Sequence, residues 1–93
     1  MSIENDLWYL IAGIRGGENR LKIIRLLGSR PHNANQLAAK LDLSYNTVRY
    51  HLDLLCDHDI VKPGGQRYGE LYYLTDYFER HRDEFETVTE RRK

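Results

Sequence analysis

The apolar residues near the start of the chain recur at intervals of three and four positions. They are Ile3, Leu7, Leu10, Ile11 and Ile14. This spacing places their side chains on one face of a helix, so it predicts an amphipathic N-terminal helix over residues 1–15. Gly16-Gly17 ends that helix, and a second helix is predicted from about Asn19 to Leu27, before Gly28-Ser29.

Two further helices are predicted in the middle of the chain, and a tight turn joins them. Pro31 favours an extended link before the first, and Asn35 is predicted to cap a short helix over residues 36–41. The turn falls at Asp42-Leu43, and Ser44 is predicted to cap a longer helix, residues 44–57. At about 100° per residue, this longer helix has an apolar inward face and a polar outward face. The inward positions are Val48, His51, Leu52 and Leu55.

After residue 59 the periodicity changes from that of helices to that of strands. Ile60-Val61-Lys62 and residues 70–74 are rich in β-favouring side chains, and glycines mark the loop between them, so a β-hairpin is predicted. Thr75 is predicted to cap a last helix over residues 76–93. The predicted fold class is mostly α with a small β-hairpin, in a single domain. Its core, residues 18–75, lies between the N-terminal and C-terminal helices.

The formal net charge is zero, but the charges are unevenly distributed along the chain. Residues 15–50 carry a net charge of +5, whereas the segments 1–14, 51–75 and 76–93 are each net negative. A basic front on a neutral body suits contact with phosphate groups. A solvated surface of mixed charge is the alternative interpretation.

Two short helices joined by a tight turn, the second capped and polar on one face, form the pattern of a helix-turn-helix. An α-helix fits the major groove of DNA, and residues in the first turns of the second helix reach the base edges. Asn46 and Arg49 are the predicted base contacts, because Asn pairs with adenine and Arg with guanine. The full predicted DNA-binding set on this helix is Ser44, Tyr45, Asn46, Thr47, Arg49 and Tyr50.

Three aromatic or acidic residues on this helix have more specific interpretations. Tyr45 lies near the edge of the inward face, where packing explains it as well as DNA contact does. Tyr50 points outward and suits a hydrogen bond from its hydroxyl to a phosphate. Asp53 either accepts a hydrogen bond from cytosine or repels phosphate and so limits the reading surface.

Basic and polar residues outside this helix complete the predicted interface. Arg67 at the tip of the hairpin is expected to contact a phosphate or the minor groove, with Lys62 and Gln66 beside it. Arg30 belongs to the same predicted DNA-binding set.

Residues 20–75 resemble the winged helix domain of the ArsR-like transcriptional regulators. The resemblance lies in Arg30-Pro31, in residues 35–38 and 41–44, and in residues 68–75. Its most specific part is the Thr-Val-x-x-His-Leu-x-x-Leu run at residues 47–55. The resemblance implies a winged helix-turn-helix fold and a homodimer that binds double-stranded DNA as a sequence-specific regulator. It also implies that the recognition helix, residues 44–57, enters the major groove while the hairpin tip touches the backbone or minor groove.

The chain departs from the family pattern in ways that change the expected function. Metal-sensing relatives carry a cysteine pair on the helix before the recognition helix, and residues 36–40 contain no cysteine. We therefore expect no metal and no cofactor. Asp42 and Asp59 replace glycines that are frequent in the family, and aspartate enters the left-handed conformation more readily than most residues.

An apolar stripe in the last predicted helix favours a dimer. Phe78, His81, Phe85 and Val88 follow the spacing of a short coiled-coil seam. The predicted dimer interface combines this stripe with the N-terminal helix, and consists of Leu7, Trp8, Ile11, Phe78, His81, Phe85 and Val88. The alternative interpretation is that the stripe packs on its own domain.

The rest of the sequence argues against other classes of function. We recognise no nucleophile with a nearby base and no cofactor loop, so no enzymatic activity is expected. The sequence shows no signal-peptide pattern and no stretch that could span a membrane, so a cytoplasmic location and no membrane partner are expected. Cys56, the only cysteine, is expected to be a packed or partly exposed thiol and not a redox switch. A winged helix that binds a protein partner in a transcription assembly is the alternative function.

Overall fold

The computed structural model describes residues 2–64 and 70–91 of the chain. The helices are Ile3–Leu7 (α1), Gly17–Ser29 (α2), Ala34–Leu41 (α3), Tyr45–Asp57 (α4), Asp76–Arg80 (α5) and Arg82–Arg91 (α6). The strands are His32–Asn33 (β1), Val61–Pro63 (β2) and Leu71–Leu74 (β3), and a π-helix, Trp8–Gly13, follows α1 directly. The predicted fold class, mostly α with a small β-hairpin, is confirmed.

The strands form one antiparallel sheet in the order β1-β3-β2. Val61 lies opposite Leu74 in the β2–β3 pair, which is the predicted hairpin. The predicted extended link after Pro31 is also a strand, because Asn33 pairs with Leu71 of β3. The sheet thus joins the segment before α3 to the hairpin that follows α4.

The cap of α3 differs from the prediction. Asn33, not Asn35, caps the helix: its side-chain oxygen accepts a hydrogen bond from the backbone N–H of Gln36 at 2.7 Å. In return, the backbone N–H of Asn33 donates to the side-chain oxygen of Gln36 at 2.9 Å. This reciprocal capping box satisfies two backbone donors, so α3 starts at Ala34, two residues earlier than predicted.

The turn between α3 and α4 follows the predicted chemistry. Asp42 takes the left-handed conformation, with φ 56° and ψ 47°, and ends α3. Ser44 then caps α4, where its hydroxyl oxygen accepts a hydrogen bond from the backbone N–H of Thr47 at 3.1 Å. The turn and the cap together fix the residue at which α4 begins.

The predicted last helix is two helices. Thr75 caps α5 as predicted, since its hydroxyl accepts a hydrogen bond from the backbone N–H of Phe78 at 3.0 Å. The chain then leaves helical geometry at His81, with φ −119° and ψ 27°, before α6 begins. Across this break the rings of Phe78 and Phe85 pack edge to face, with centroids 5.2 Å apart.

The apolar stripe of the last helices lies in the core of its own chain. Phe78, Phe85 and Val88 are at most 1% exposed, and they share one buried cluster with Leu7 and Ile11. Of the predicted dimer residues, only Trp8 and His81 remain partly exposed. The prediction that this stripe is free for a partner is therefore corrected, because α6 packs on α1 and the π-helix of the same protomer.

Arg20, one of the basic residues of segment 15–50, is fully buried in the core. Its Nε donates to the carbonyl of Leu10 at 2.6 Å, and its Nη2 donates to the carbonyls of Ile14 and Arg15 at 3.3 and 2.8 Å. These carbonyls lie in the last turn of the π-helix and just after it, where helix ends leave such groups without intrahelical partners. Arg20 thus completes the end of the π-helix from its place on α2.

The same guanidinium also reaches the recognition helix. Arg20 Nη1 lies 3.0 Å from Nδ1 of His51 on α4. A guanidinium can only donate, so Nδ1 accepts and the proton of the neutral imidazole lies on Nε2. Burial, and then the charge of Arg20, lower the pKa of His51 below its ordinary value. His51 is thus a neutral, structural residue, in line with its predicted inward position.

We predict that Gly17→Ala strongly destabilises the protein. A Cβ built on Gly17 would overlap the carbonyl oxygen of Ile11, so α2 could not keep its approach to the π-helix. The free energy of unfolding, measured by urea denaturation, should fall by about 3 kcal/mol or more. Gly28→Ala is the matched control, since its Cβ would meet Arg82 and Leu74 only at 3.8 Å. That variant should gain about 0.5 kcal/mol from its helical position, and equal effects of both substitutions would contradict the packing described.

We predict that His51→Asn reduces the loss of stability in mild acid. The folded imidazole binds a proton less readily than the unfolded one, whose pKa is about 6.5. Its contribution to stability is therefore complete above pH of about 6.5 and is lost as the pH falls below that value. Asparagine keeps an acceptor for Arg20 but does not titrate. Between about pH 7.5 and about pH 5.5, the variant should lose less unfolding free energy than the wild type, and an equal loss would contradict the assignment.

Candidate nucleic-acid interface

The recognition helix α4 is divided into two faces, as its sequence predicts. Its buried residues are Val48, His51, Leu52 and Leu55. Asn46, Thr47, Tyr50 and Asp53 are exposed, and Arg49 is half-buried. The outward face therefore begins at the capped N-terminus and continues for about two turns, which is the part of such a helix that reaches base edges.

Ser44 and Thr47 hold the N-terminal turn of α4 in place. The Ser44 hydroxyl donates to Oγ1 of Thr47 at 2.8 Å, in addition to accepting from its backbone N–H. The hydroxyls of both residues are thus engaged within the turn, while the residues themselves remain exposed. Their main effect in the free protein is to fix the turn that presents Asn46.

Among the described residues, three large hydrophobic side chains are exposed, and two of them lie on this face. Tyr50 is 55% exposed and its ring packs edge to face on His51, with centroids 5.3 Å apart. Tyr45 is 45% exposed, so it lies on the surface and not in the core. Tyrosines in such positions offer an apolar ring and a hydroxyl to a partner.

Arg49 lies on the helix surface between Tyr45, one turn before it, and Asp53, one turn after it. Its Nη1 donates to the hydroxyl of Tyr45 at 3.1 Å, and its Nη2 lies 3.8 Å from Oδ1 of Asp53. The hydrogen bond with Tyr45 is the main cause that raises the pKa of Arg49, so the guanidinium stays charged. The sequence pattern places these three residues on one helix but does not predict their contact. Their spacing of four positions was the available signal.

A shallow cleft of about 80 Å³ adjoins Arg49. It lies between the start of α3, the recognition helix and the start of β3, and Glu70 and Tyr72 form its far side. The carboxylate of Glu70 thus lines the same cleft as Arg49, and Asp53 contacts Arg49 outside that cleft.

The predicted contacts outside α4 are only partly described. Lys62 is exposed on β2, and Arg30 is exposed just before β1. Because β3 lies between those strands, the two cations flank opposite edges of the sheet. Gln66 and Arg67 lie outside the described residues.

The basic front is smaller than the sequence predicts. Arg20 is buried, Arg25 pairs with Glu86 at 3.4 Å, and Lys22 lies 3.9 Å from Glu18. The exposed basic residues that remain in this segment are Arg15, Arg30 and Lys40. The excess positive charge of residues 15–50 therefore reaches the surface only in part.

Three other possibilities are a reactive thiol, a metal site and a helix that spans a membrane. Burial is the main cause that raises the pKa of the Cys56 thiol to about 11, so the thiol is protonated near neutral pH. Residues 2–64 and 70–91 contain no group of three or more His, Cys, Asp or Glu side chains that could hold a metal ion. In that same part of the chain, every helix is too short or too polar to cross a membrane.

Comparison with known families identifies the central segment. A family model described as a helix-turn-helix domain matches residues 18–63. This range extends from α2 to β2 and contains the whole recognition helix. A sequence comparison with curated proteins finds no match.

Several solved structures share the fold at low sequence identity. The transcriptional regulator HlyU from Vibrio vulnificus is 22% identical, with a TM-score of 0.69 over 91% of this chain and 79% of that one. ZitR from Lactococcus lactis is 21% identical, with a TM-score of 0.65 over 88% of this chain and 56% of that one. RV1404 from Mycobacterium tuberculosis is 22% identical, with a TM-score of 0.67 over 96% of this chain and 60% of that one.

These similarities agree with the elements described above. The helix-turn-helix consists of α3, the turn at Asp42 and α4, and β2 with β3 forms the wing. Residues 18–63 are therefore similar to the helix-turn-helix domain of the matched family model, and the fold of the chain is a winged helix-turn-helix.

Proposed function

We propose that this chain is a transcriptional regulator that binds double-stranded DNA sequence-specifically, with α4 in the major groove. The observation that carries the proposal is the outward face of α4. A rigid, capped helix presents amide, hydroxyl and guanidinium groups in its first two turns, on a helix-turn-helix domain. The regulator HlyU, which shares the fold, supports the same function. An enzymatic function is not part of this proposal.

Each residue of this face has a role that its chemistry supports. Asn46 is free of core packing and suits a bidentate contact with adenine, whereas Arg49 suits guanine. The methyl group of Thr47 can contact a thymine methyl. Tyr50 is exposed enough to donate its hydroxyl to a phosphate. Ser44 contributes by capping the helix.

The wing and its neighbours position the helix on the duplex. Lys62 on β2 is exposed and suits a phosphate contact, and Arg30 suits one at the other edge of the sheet. Arg67 and Gln66 are proposed to contact the backbone or minor groove from the wing tip. Such contacts add affinity and fix orientation, but they read little sequence.

We also propose that the protein acts as a homodimer, with no cofactor. A dimer would place two recognition helices about one turn of DNA apart, on a pseudo-palindromic site. The surface that supports this proposal is the outer side of the π-helix, where Tyr9 is 48% exposed and Trp8 is partly exposed. His81 is the other predicted dimer residue that stays accessible.

The DNA-binding proposal is tested by selecting bound sequences from random duplex DNA. We expect enrichment of one sequence, and an affinity that falls steeply as salt rises because counterions are released from phosphates. Arg49→Ala should cost about 1–3 kcal/mol on the selected duplex and relax specificity at one base pair. Arg80→Ala, at an exposed position on α5, is the matched control and should keep the wild-type preference. No enrichment and negligible binding at low salt would favour a protein partner for this face instead.

The dimer proposal is tested by sedimentation equilibrium at micromolar protein concentration. The wild-type protein should have twice the mass of one chain. Tyr9→Glu should produce monomers, because it adds a charge to the proposed surface without touching the buried stripe. Circular dichroism should show that the variant remains folded. A monomeric wild-type protein, or a Tyr9→Glu variant that stays dimeric, would contradict this surface.

A further inference from the structure

Among the described residues, the cations proposed to contact the DNA backbone belong to the sheet or adjoin it. Lys62 is part of β2, and Arg30 lies just before β1. The sheet adjoins the side of α4 that carries Tyr45 and Arg49, because these two residues share a cleft with Tyr72 of β3. A helix in the major groove, which is about 12 Å wide, lies between two sugar-phosphate backbones. Contacts with the second backbone therefore require groups on the opposite side of α4.

The opposite side of α4 is the one that carries Tyr50. At about 100° per residue, Tyr50 and Arg49 lie on either side of the middle of the outward face. The ring of Tyr50 packs on the imidazole of His51. A Cβ built on Gly16 would lie 2.7 Å from Cε1 of that imidazole, so the backbone just before α2 lies directly against His51. The segment between the π-helix and α2 thus adjoins the Tyr50 side of α4.

Arg15 is the exposed cation of this segment. Its main-chain carbonyl accepts a hydrogen bond from Nη2 of Arg20 at 2.8 Å, and the next residue, Gly16, takes the left-handed conformation with φ 91°. Both features fix the backbone at residue 15. Its guanidinium, in contrast, has no hydrogen bond or ion pair within residues 2–64 and 70–91. Arg15 thus offers an unpaired positive charge from a fixed backbone position.

On the basis of the DNA-binding function proposed above, we propose that Arg15 is a further DNA-binding residue, which contacts a backbone phosphate on the Tyr50 side of α4. Its guanidinium and the Tyr50 hydroxyl bind the backbone on this side, as Lys62 and Arg30 do on the side of the sheet. Arg15 adds affinity whatever the sequence, since a phosphate contact reads no base. The recognition helix is then held from both sides of the groove.

The test compares Arg15→Ala with the wild type on the duplex that the wild type selects and on a scrambled duplex of the same composition. Because Arg20 binds the main-chain carbonyl of residue 15, the substitution leaves that hydrogen bond in place and the variant should fold. We expect the affinity for both duplexes to fall by about threefold to tenfold, with their ratio unchanged. The slope of log affinity against log salt concentration should become shallower by about one.

Arg15→Lys and Arg80→Ala are the control variants. Lysine keeps the positive charge, so the salt dependence should return to the wild-type value. Arg80 is an exposed cation on α5, and its replacement removes the same charge from outside the proposed interface. Its affinity for both duplexes should stay within about twofold of the wild-type value, because salt screens distant surface charges. Sedimentation should give Arg15→Ala the same mass as the wild type.

The outcomes separate the role of Arg15 from the function on which it rests. If the wild type binds DNA but Arg15→Ala and Arg80→Ala have equal effects, residue 15 acts only through overall charge and the inference is wrong. It is equally wrong if lysine does not restore the salt dependence, if Arg15→Ala changes the ratio of the two affinities, or if that variant has a lower mass. If the wild type binds neither duplex at low salt, the DNA-binding function itself fails, and the role of Arg15 fails with it.

Discussion

The enclosed guanidinium of Arg20 places the strictest demand on the packing of this chain. A cation removed from water is tolerated where its donors find partners inside the protein. Here those partners are three main-chain carbonyls at the end of the π-helix and the imidazole of His51. The site therefore needs the π-helix, α2 and α4 at the same time. Loss of any one leaves a buried charge with open donors, which is among the costlier defects in a small domain.

The same contact orients the outward face of α4. Because His51 is directed inward by Arg20, the helical repeat directs the residues two positions before and after it toward solvent. Those residues are Arg49 and Asp53, which meet each other along the surface of α4. The buried hydrogen bond between Arg20 and His51 and the surface ion pair of Arg49 therefore depend on the same register of α4. The cap at Ser44 and the left-handed turn at Asp42 fix where that register begins.

Local sequence patterns predict much of this structure. The predictions that are wrong concern features that tertiary packing determines. The faces of α4 and the caps at Ser44 and Thr75 follow from spacing and residue type alone. The cap of α3 was misplaced because Asn33 and Asn35 are equally good caps, although Gln36 forms a capping box only with Asn33. Nothing local indicates that Arg20 is buried while its basic neighbours are exposed. The stripe at Phe78 and Phe85 fits a dimer seam and a core equally well, and only the break at His81 and the packing of α6 on α1 distinguish them.

The burial of the stripe at Phe78, Phe85 and Val88 means that folding does not depend on assembly with a second chain. The largest apolar side chains of the last helices are already covered within one protomer, so a partner is not needed to complete the core. In obligate dimers, by contrast, stability depends on protein concentration through mass action. Folding and assembly of the proposed homodimer are thus separable, and the second can be lost without the first.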